Sequence, residues 1–351
     1  MNRDMFDSAR AFKRAFVQGL ASILETFDPQ TELGAFILVV ANFCHDQDVR
    51  GPLGSRLDEA LARVLSVYDK QLVEPAGNGD SEDMQVLRRI KAVGLDAIAV
   101  TRYRSVGPYV VQFNELRSFR PKGVGAAPVT FVDMPVDFTE VKFHFDIERV
   151  QIERVGEKEF ELEGRKASLF YNKFPFANVH AVLVLDKTKL YRQVLQKDKH
   201  EWVCAVARLL GAQASIGLGY NSFGAFASVP QLHWQTFMYP PELPLMNPTR
   251  QFNSGTDTAY PLPVAVFKSA AESWDWIAQC HRENTAYNLL YVRNTIYCIA
   301  RRLQGSYVHA DWTSGFAWFE CAGAIIVSAP GDFESMTEAA IVAEYKKMAV
   351  D

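Results

Sequence analysis

The texture of the chain changes at about residue 95, and this change constrains the fold more than any other feature. Before it, Phe12, Phe16, Leu20, Ile23 and Phe27 recur at helical spacing, and "SRLDEALARVLSVYDKQL" at 55 to 72 repeats the pattern. After it come short stretches of strand character, "PYVVQF", "VKFHFDIERVQIERV", "KEFELEG" and "VHAVLVLD", separated by Gly, Pro and Asn turns. A helix, "KLYRQVLQKDKHEWVCAVARLLGA", follows. Beyond the proline-rich "YPPELPLMNP" stands a second set: strand "LPVAVF", helix "SAAESWDWIAQCHREN", strands "YNLLYVR", "TIYCIARR" and "GAIIVS", and a closing helix "MTEAAIVAEYKKMAV". The expected organisation is a helical extension over 1–94, with a mobile loop in the polar "EPAGNGDSED" at 74 to 83, then halves at 95–248 and 249–351. A chain of 351 residues suits two domains or one large two-lobed unit.

Composition narrows the function classes. A net charge of -4 leaves no broad basic field, which argues against nucleic acid as a partner. The five cysteines are far apart, odd in number and without a CxxC pair, so neither a disulfide framework nor a zinc ribbon is expected, and a reducing cytoplasm fits. No apolar run approaches the roughly 20 residues of a membrane span, and the amino-terminal helix mixes charges through its apolar positions, unlike a signal peptide.

Chemistry concentrates in "GYNSFGAFASVPQLHWQTF" at 219 to 237. In an extended strand Gln231, His233 and Gln235 share one face, and Leu232, Trp234 and Thr236 the other. An imidazole between two amides can stay neutral near pH 7 and attack phosphorus, with the amides holding phosphoryl oxygens. Upstream, the glycines, with Gly224 among them, together with Asn221 and Ser222, can turn the backbone and present N–H groups to an anion. A half-buried strand histidine satisfied by its neighbours remains the structural alternative. No metal site is expected, because glutamine is a poor transition-metal ligand and no second His, Cys or carboxylate stands at ligand spacing.

The same stretch resembles the active-site strand of the histidine-triad superfamily, in the His-x-His-x-Gln form of its transferase branch. That branch holds galactose-1-phosphate uridylyltransferases, diadenosine tetraphosphate phosphorylases and GDP-hexose phosphorylases, and the stretch is most similar to the last group, which acts on GDP-L-galactose or GDP-D-glucose. "VQFNELRSFRPK" at 111, "YNKFPFANVHAVLVLD" at 171, "YPLPVAVF", "AYNLLYV", "WFECAGAIIV" and "DFESMTEAA" carry the resemblance over about residues 95 to 345. It implies an α+β, two-lobed, galactose-1-phosphate uridylyltransferase-like fold with antiparallel sheets flanked by helices, needing no cofactor and existing as a monomer or homodimer. The resemblance also implies that His233 forms a covalent nucleotidyl-histidine and that Gln235 binds a phosphoryl oxygen. Ser228 and Asn221 would contact phosphates or leaving group, Asn172 the nucleotide ribose, and His180 would support the site. Arg117, Arg120 and Lys173 would supply local positive charge.

Gln231 departs from the pattern, standing where the family has the first histidine. Its backbone carbonyl can still accept from the imidazole N–H and set the reactive tautomer. A sugar-1-phosphate leaves without a proton, so this substrate tolerates the change. The resulting expectation is a phosphorylase that takes a nucleotide sugar and inorganic phosphate to a nucleoside diphosphate and a hexose-1-phosphate. Lys173 is a second departure and resembles the diadenosine phosphorylases. Alternatives are therefore a diadenosine polyphosphate phosphorylase or hexose-1-phosphate nucleotidylyltransferase, a hydrolase, and a nucleotide-sugar binding protein without turnover.

Overall fold

The structure is a computed structural model that describes residues 4–75, 80–120, 138, 143–156, 159–239, 242–247 and 260–350. Four helices come first: α1 (Ala9–Thr26), α2 (Leu33–His45), α3 (Gln47–Val73) and α4 (Glu82–Val93). Ser8 starts α1 by accepting the Ala11 N–H at 3.1 Å, and the helix buries Phe12, Phe16, Leu20 and Ile23 as its spacing requires. Helix α2, "LGAFILVVANFCH", was not foreseen: it is buried on nearly every side, so it has no polar face to reveal a period. It lies against α1, α3 and α4. Helix α3 begins eight residues before the expected segment at Ser55 and carries Pro52 within it. Of the loop expected at 74–83, residues 76–79 lie outside the described residues, whereas Ser81 caps α4 and Asp80 pairs with Arg88 at 2.8 Å.

The remaining elements in chain order are strands β1 (Arg102–Val106) and β2 (Tyr109–Phe113), helix α5 (Glu115–Ser118), strands β3 (Phe160–Leu162), β4 (Arg165–Tyr171) and β5 (Ala181–Leu185), and helix α6 (Lys197–Gln213). Strands β6 (Ile216–Asn221), β7 (His233–Met238) and β8 (Val264–Phe267) precede helix α7 (Ala270–Arg282). Strands β9 (Ala286–Val292) and β10 (Thr295–Arg301), helix α8 (Trp318–Cys321), strand β11 (Ala324–Val327) and helices α9 (Pro330–Ser335) and α10 (Glu338–Met348) complete the chain.

The class is α+β, with antiparallel strands flanked by helices. An eight-stranded sheet has the order β3-β4-β5-β7-β6-β9-β10-β8, every pair antiparallel. The two expected strand sets meet at β6 and β9, where Leu218 faces Tyr291 and Asn221 faces Asn288. One continuous ladder thereby satisfies backbone groups that separate sheets would expose at two edges. Strand β11 instead pairs parallel to β2 in a three-stranded sheet.

The described part of "VKFHFDIERVQIERV" does not form the strand that its alternation predicts. The first residues of the segment lie outside the described set, and Glu148–Glu153 form a 3-10 helix where a strand was expected. Its alternating apolar residues cap the sheet, with Phe145 and Val150 packing on Phe170, Val182 and Val184, and only its end pairs there, where Arg154 bridges Phe170. Gln151 holds the turn by donating to the carbonyls of Phe145 and Ile147.

Side-chain alternation gives the large sheet two unlike faces. Leu183, Leu218, Trp234 and Tyr291 belong to a core shared with the amino-terminal helices, while Phe237, Leu290 and Ile299 meet a second core built on Trp318, Ile325 and Tyr345. His233 and Gln235 stand on the second face, in register with Val184 and Val182 of β5.

Candidate active site

His233 opens β7 between its neighbours β5 and β6, and it is only 4% exposed. Its backbone is held by Gln193, whose Oε1 accepts the His233 N–H at 2.8 Å while Nε2 donates to the His233 carbonyl at 3.2 Å and the Asn221 carbonyl at 2.9 Å. The imidazole Nδ1 lies 2.7 Å from the backbone oxygen of Gln231. A carbonyl can only accept, so Nδ1 carries the hydrogen and the lone pair is on Nε2. Among the described residues Nε2 has no hydrogen-bond partner. Burial, opposed by the Gln231 carbonyl, pulls the imidazole down from 6.5 to about 4, so the ring is neutral at physiological pH.

Gln231 precedes the strand, in an isolated bridge with Arg192, and its side chain is turned into the structure. Oε1 accepts from the Phe145 N–H at 2.8 Å and Nε2 donates to the Lys187 carbonyl at 2.8 Å. Only its backbone oxygen meets His233. Gln235 does share a face with His233, and its Oε1 accepts the indole N–H of Trp318 at 2.6 Å. His180, which leads into β5, lies close enough to Gln235 for the amide to favour its charged form slightly. Its Nδ1 accepts the Phe176 N–H at 3.2 Å. Burial first, with His45 and Arg117 adding repulsion, holds His180 well below the usual histidine value. Asn172 stands 3.4 Å from His180 Nε2, and its own Oδ1 accepts the Phe174 N–H.

Arg117 packs its guanidinium 5.1 Å from the Phe176 ring and donates to the Phe174 carbonyl at 2.5 Å. Burial lowers it to about 10, which leaves it charged at neutral pH. The structure therefore brings His233, Gln235, His180, Asn172, Arg117 and Asn221 towards one side of the sheet.

Other expected site residues go elsewhere. Lys173 is ion-paired with Asp83, and Arg120 with Glu82 at 2.8 Å, so both charges tie the 115–120 and 171–174 segments to α4. Ser228 is exposed in the loop before β7. Ser222 accepts the Tyr287 N–H at 2.9 Å, extending the junction of β6 and β9. Asn221 Oδ1 accepts from Asn288 at 2.7 Å and from the Trp318 backbone N–H at 2.8 Å. Gly224 makes a turn at φ +88°, its carbonyl accepting from Gln304.

Part of the glycine-rich stretch is committed to bonds within the chain. The N–H groups of Ser222, Ala225 and Phe226 are already bonded to Tyr287, Ser222 and Gln304, and Gly217 and Gly219 lie inside β6 beneath the rings of Phe237 and Trp318. Among the described residues no group of three or more His, Cys, Asp or Glu is placed to hold a metal ion. No described helix is long and apolar enough to cross a membrane. A polar cleft lies away from His233, lined by Thr31, Gly34, Tyr68, Asp80 and Asp83, and its two carboxylates are paired with Arg88 and Lys173.

Two positioning residues escaped the sequence reading. Gln193 stands in a stretch whose spacing predicts a helix, but α6 starts at Lys197 and the preceding segment runs back along Pro230 and Leu232. Trp318 lay in "AWFECAGAIIV", whose apolar character gives no sign that the indole N–H meets Gln235; the segment is buried within the chain.

Residues 108–237 match the family model described as GDPGP1-like, N-terminal domain. GDP-D-glucose phosphorylase 1 of Danio rerio is 33% identical over 104 residues, which make up 28% of this chain and 30% of that protein. The match thus spans less than a third of that relative's length. Among solved structures, yeast Ap4A phosphorylase Apa2 superposes with a TM-score of 0.48 at 15% identity, covering 76% of this chain and 93% of that one. Its complex with Ap4A gives the same TM-score, 0.48, over 77% of this chain and 97% of that one.

Proposed function

From the relation of residues 108–237 to GDP-sugar phosphorylases, we propose that this chain is a nucleotide phosphorylase acting on a nucleoside diphosphate sugar, with a GDP-hexose as the favoured substrate. His233 Nε2 attacks the α-phosphorus, an N–P bond forms as the bond from that phosphorus to the bridging oxygen breaks, and hexose-1-phosphate leaves with the electron pair. Inorganic phosphate then attacks the nucleotidyl-histidine, releasing the nucleoside diphosphate and restoring the imidazole.

The observation that carries this reading is the 2.7 Å contact between His233 Nδ1 and the Gln231 carbonyl, which leaves the lone pair on Nε2. As Nε2 bonds to phosphorus, positive charge develops on the ring, and the carbonyl is already in place to stabilise the Nδ1–H. The charged Arg117 beside His180 supplies attraction for phosphate in a chain of net charge -4.

Intact-protein mass after mixing with GDP-, UDP- and ADP-sugars and diadenosine tetraphosphate, without phosphate, tests the proposal. An adduct absent from His233→Ala and discharged by phosphate supports it, and the added mass names the base. Nucleotide binding without any adduct would leave a binding protein, and an adduct discharged equally well without phosphate would leave a hydrolase.

A further inference from the structure

We infer that Trp318 sets the polarity of the Gln235 carboxamide, so that its NH2 group rather than its oxygen is presented to the phosphate of a bound nucleotide. This deepens, and rests on, the reading of His233 as a nucleophile towards phosphorus.

An indole N–H can only donate, so the amide atom 2.6 Å from Trp318 Nε1 is the oxygen, and the NH2 group occupies the other position. A phosphoryl oxygen accepts and does not donate. The opposite amide orientation would therefore set oxygen against oxygen at the ligand and strand the indole N–H.

The approach of the indole is built into the sheet. Gly219 pairs with Gln235 across β6 and β7, and a Cβ at Gly219 would stand 2.2 Å from a Trp318 ring atom, so the ring lies where a side chain would otherwise be. Trp318 is anchored independently: its backbone N–H donates to Asn221 Oδ1 at 2.8 Å, and its ring packs on Phe237 and Phe176 with centroids 5.1 and 5.9 Å away. These contacts fix the donor before any ligand arrives. The carboxyl-terminal half, which lacks a nucleophile of its own in this reading, thereby completes the phosphate-binding face of the other half.

Trp318→Phe keeps an aromatic ring and removes the N–H. Single-turnover adduct formation followed by intact mass is expected to slow roughly tenfold, with half-saturation by the nucleotide sugar little changed. Gln235→Ala is expected to slow the step as well, and adding Trp318→Phe to it is expected to cost nothing more. An equal slowing by Trp318→Phe with and without Gln235 would mean that the tryptophan acts through packing alone, and would overturn the inference.

A second measurement is independent of turnover and of the folding of Trp318→Phe. In protein labelled with 15N-tryptophan, Gln235→Leu is expected to shift the Trp318 indole N–H resonance upfield and speed its exchange with solvent. An unmoved resonance would overturn the inference whatever the kinetics. If the wild type forms no adduct with any donor, the transferase reading falls, while the indole resonance still decides the contact.

Discussion

The Nδ1 atom of His233 is 2.7 Å from the backbone oxygen of Gln231, two residues earlier in its own chain. The group that fixes the tautomer is thus a main-chain atom that no substitution at 231 removes. The Gln231 side chain has a separate task, bridging the Phe145 N–H and the Lys187 carbonyl.

Gln231→Leu should therefore separate stability from chemistry. It leaves a buried donor and a partly buried acceptor without their partner, a loss of about 1–3 kcal/mol in denaturant unfolding. The folded fraction should still form the His233 adduct. An adduct lost from fully folded Gln231→Leu protein would give the side chain a direct role in the reaction.

Acidification should weaken the fold between pH 6.5 and 4. His45, His200, His233 and His281 are each lowered by burial to about 4, and His180 lies well below 6.5. In that interval the unfolded chain binds protons that the folded chain refuses. Stability is therefore complete above 6.5 and declines as pH falls towards 4, by about 3 kcal/mol for His233 alone. Urea midpoints across this range test the slope.

For the same reason, adduct formation should not fall by half at pH 6.5, as it would for a solvated imidazole nucleophile. The rate at saturating nucleotide sugar should stay level from pH 8 down to about 5 on account of His233. A titration midpoint near 6.5 that is insensitive to the donor used would show that the ring is solvated during the reaction.

Gly219→Ala and Gly51→Ala should have opposite effects. At Gly219 the new methyl meets the Trp318 ring and must displace it, an overpacking cost of roughly 1–3 kcal/mol, together with slower adduct formation. At Gly51, in α3, a Cβ meets nothing within 4 Å and alanine is the better helix former, so stability should rise by about 0.5–1 kcal/mol. Thermal melting of the two proteins side by side gives the comparison.

Gln193→Leu removes three hydrogen bonds that hold the start of β7 to the end of β6 and leaves the His233 N–H unpaired. It should lower stability by about 1–3 kcal/mol and slow adduct formation at every donor concentration. An unchanged single-turnover rate would show that His233 is held by the sheet alone.

Local physics accounts for what could be read directly from the residues. The helical spacing of Phe12, Phe16, Leu20 and Ile23, the alternation through β7 and the short reach from Gln231 oxygen to His233 Nδ1 all follow from backbone geometry over a few residues. Helix α2 shows no period because burial on nearly all sides erases it, and the alternation of Phe143, Phe145 and Ile147 does not make a strand because apolar alternation also suits a cap over a sheet. Long-range packing decided the rest. Lys173 and Arg120 have the composition of phosphate ligands, but the carboxylates of α4 reach them first. Gln193 and Trp318 are distant from His233 in sequence, and the tertiary structure brings the Gln193 amide to the His233 backbone and the Trp318 indole N–H to Gln235. The sequence by itself determined that a histidine stands two residues after a glutamine whose backbone carbonyl can set its tautomer, because both lie within three consecutive residues. Which groups surround it was decided by the tertiary structure, because hydrogen bonds and charges pair by distance in space, without regard to separation along the chain.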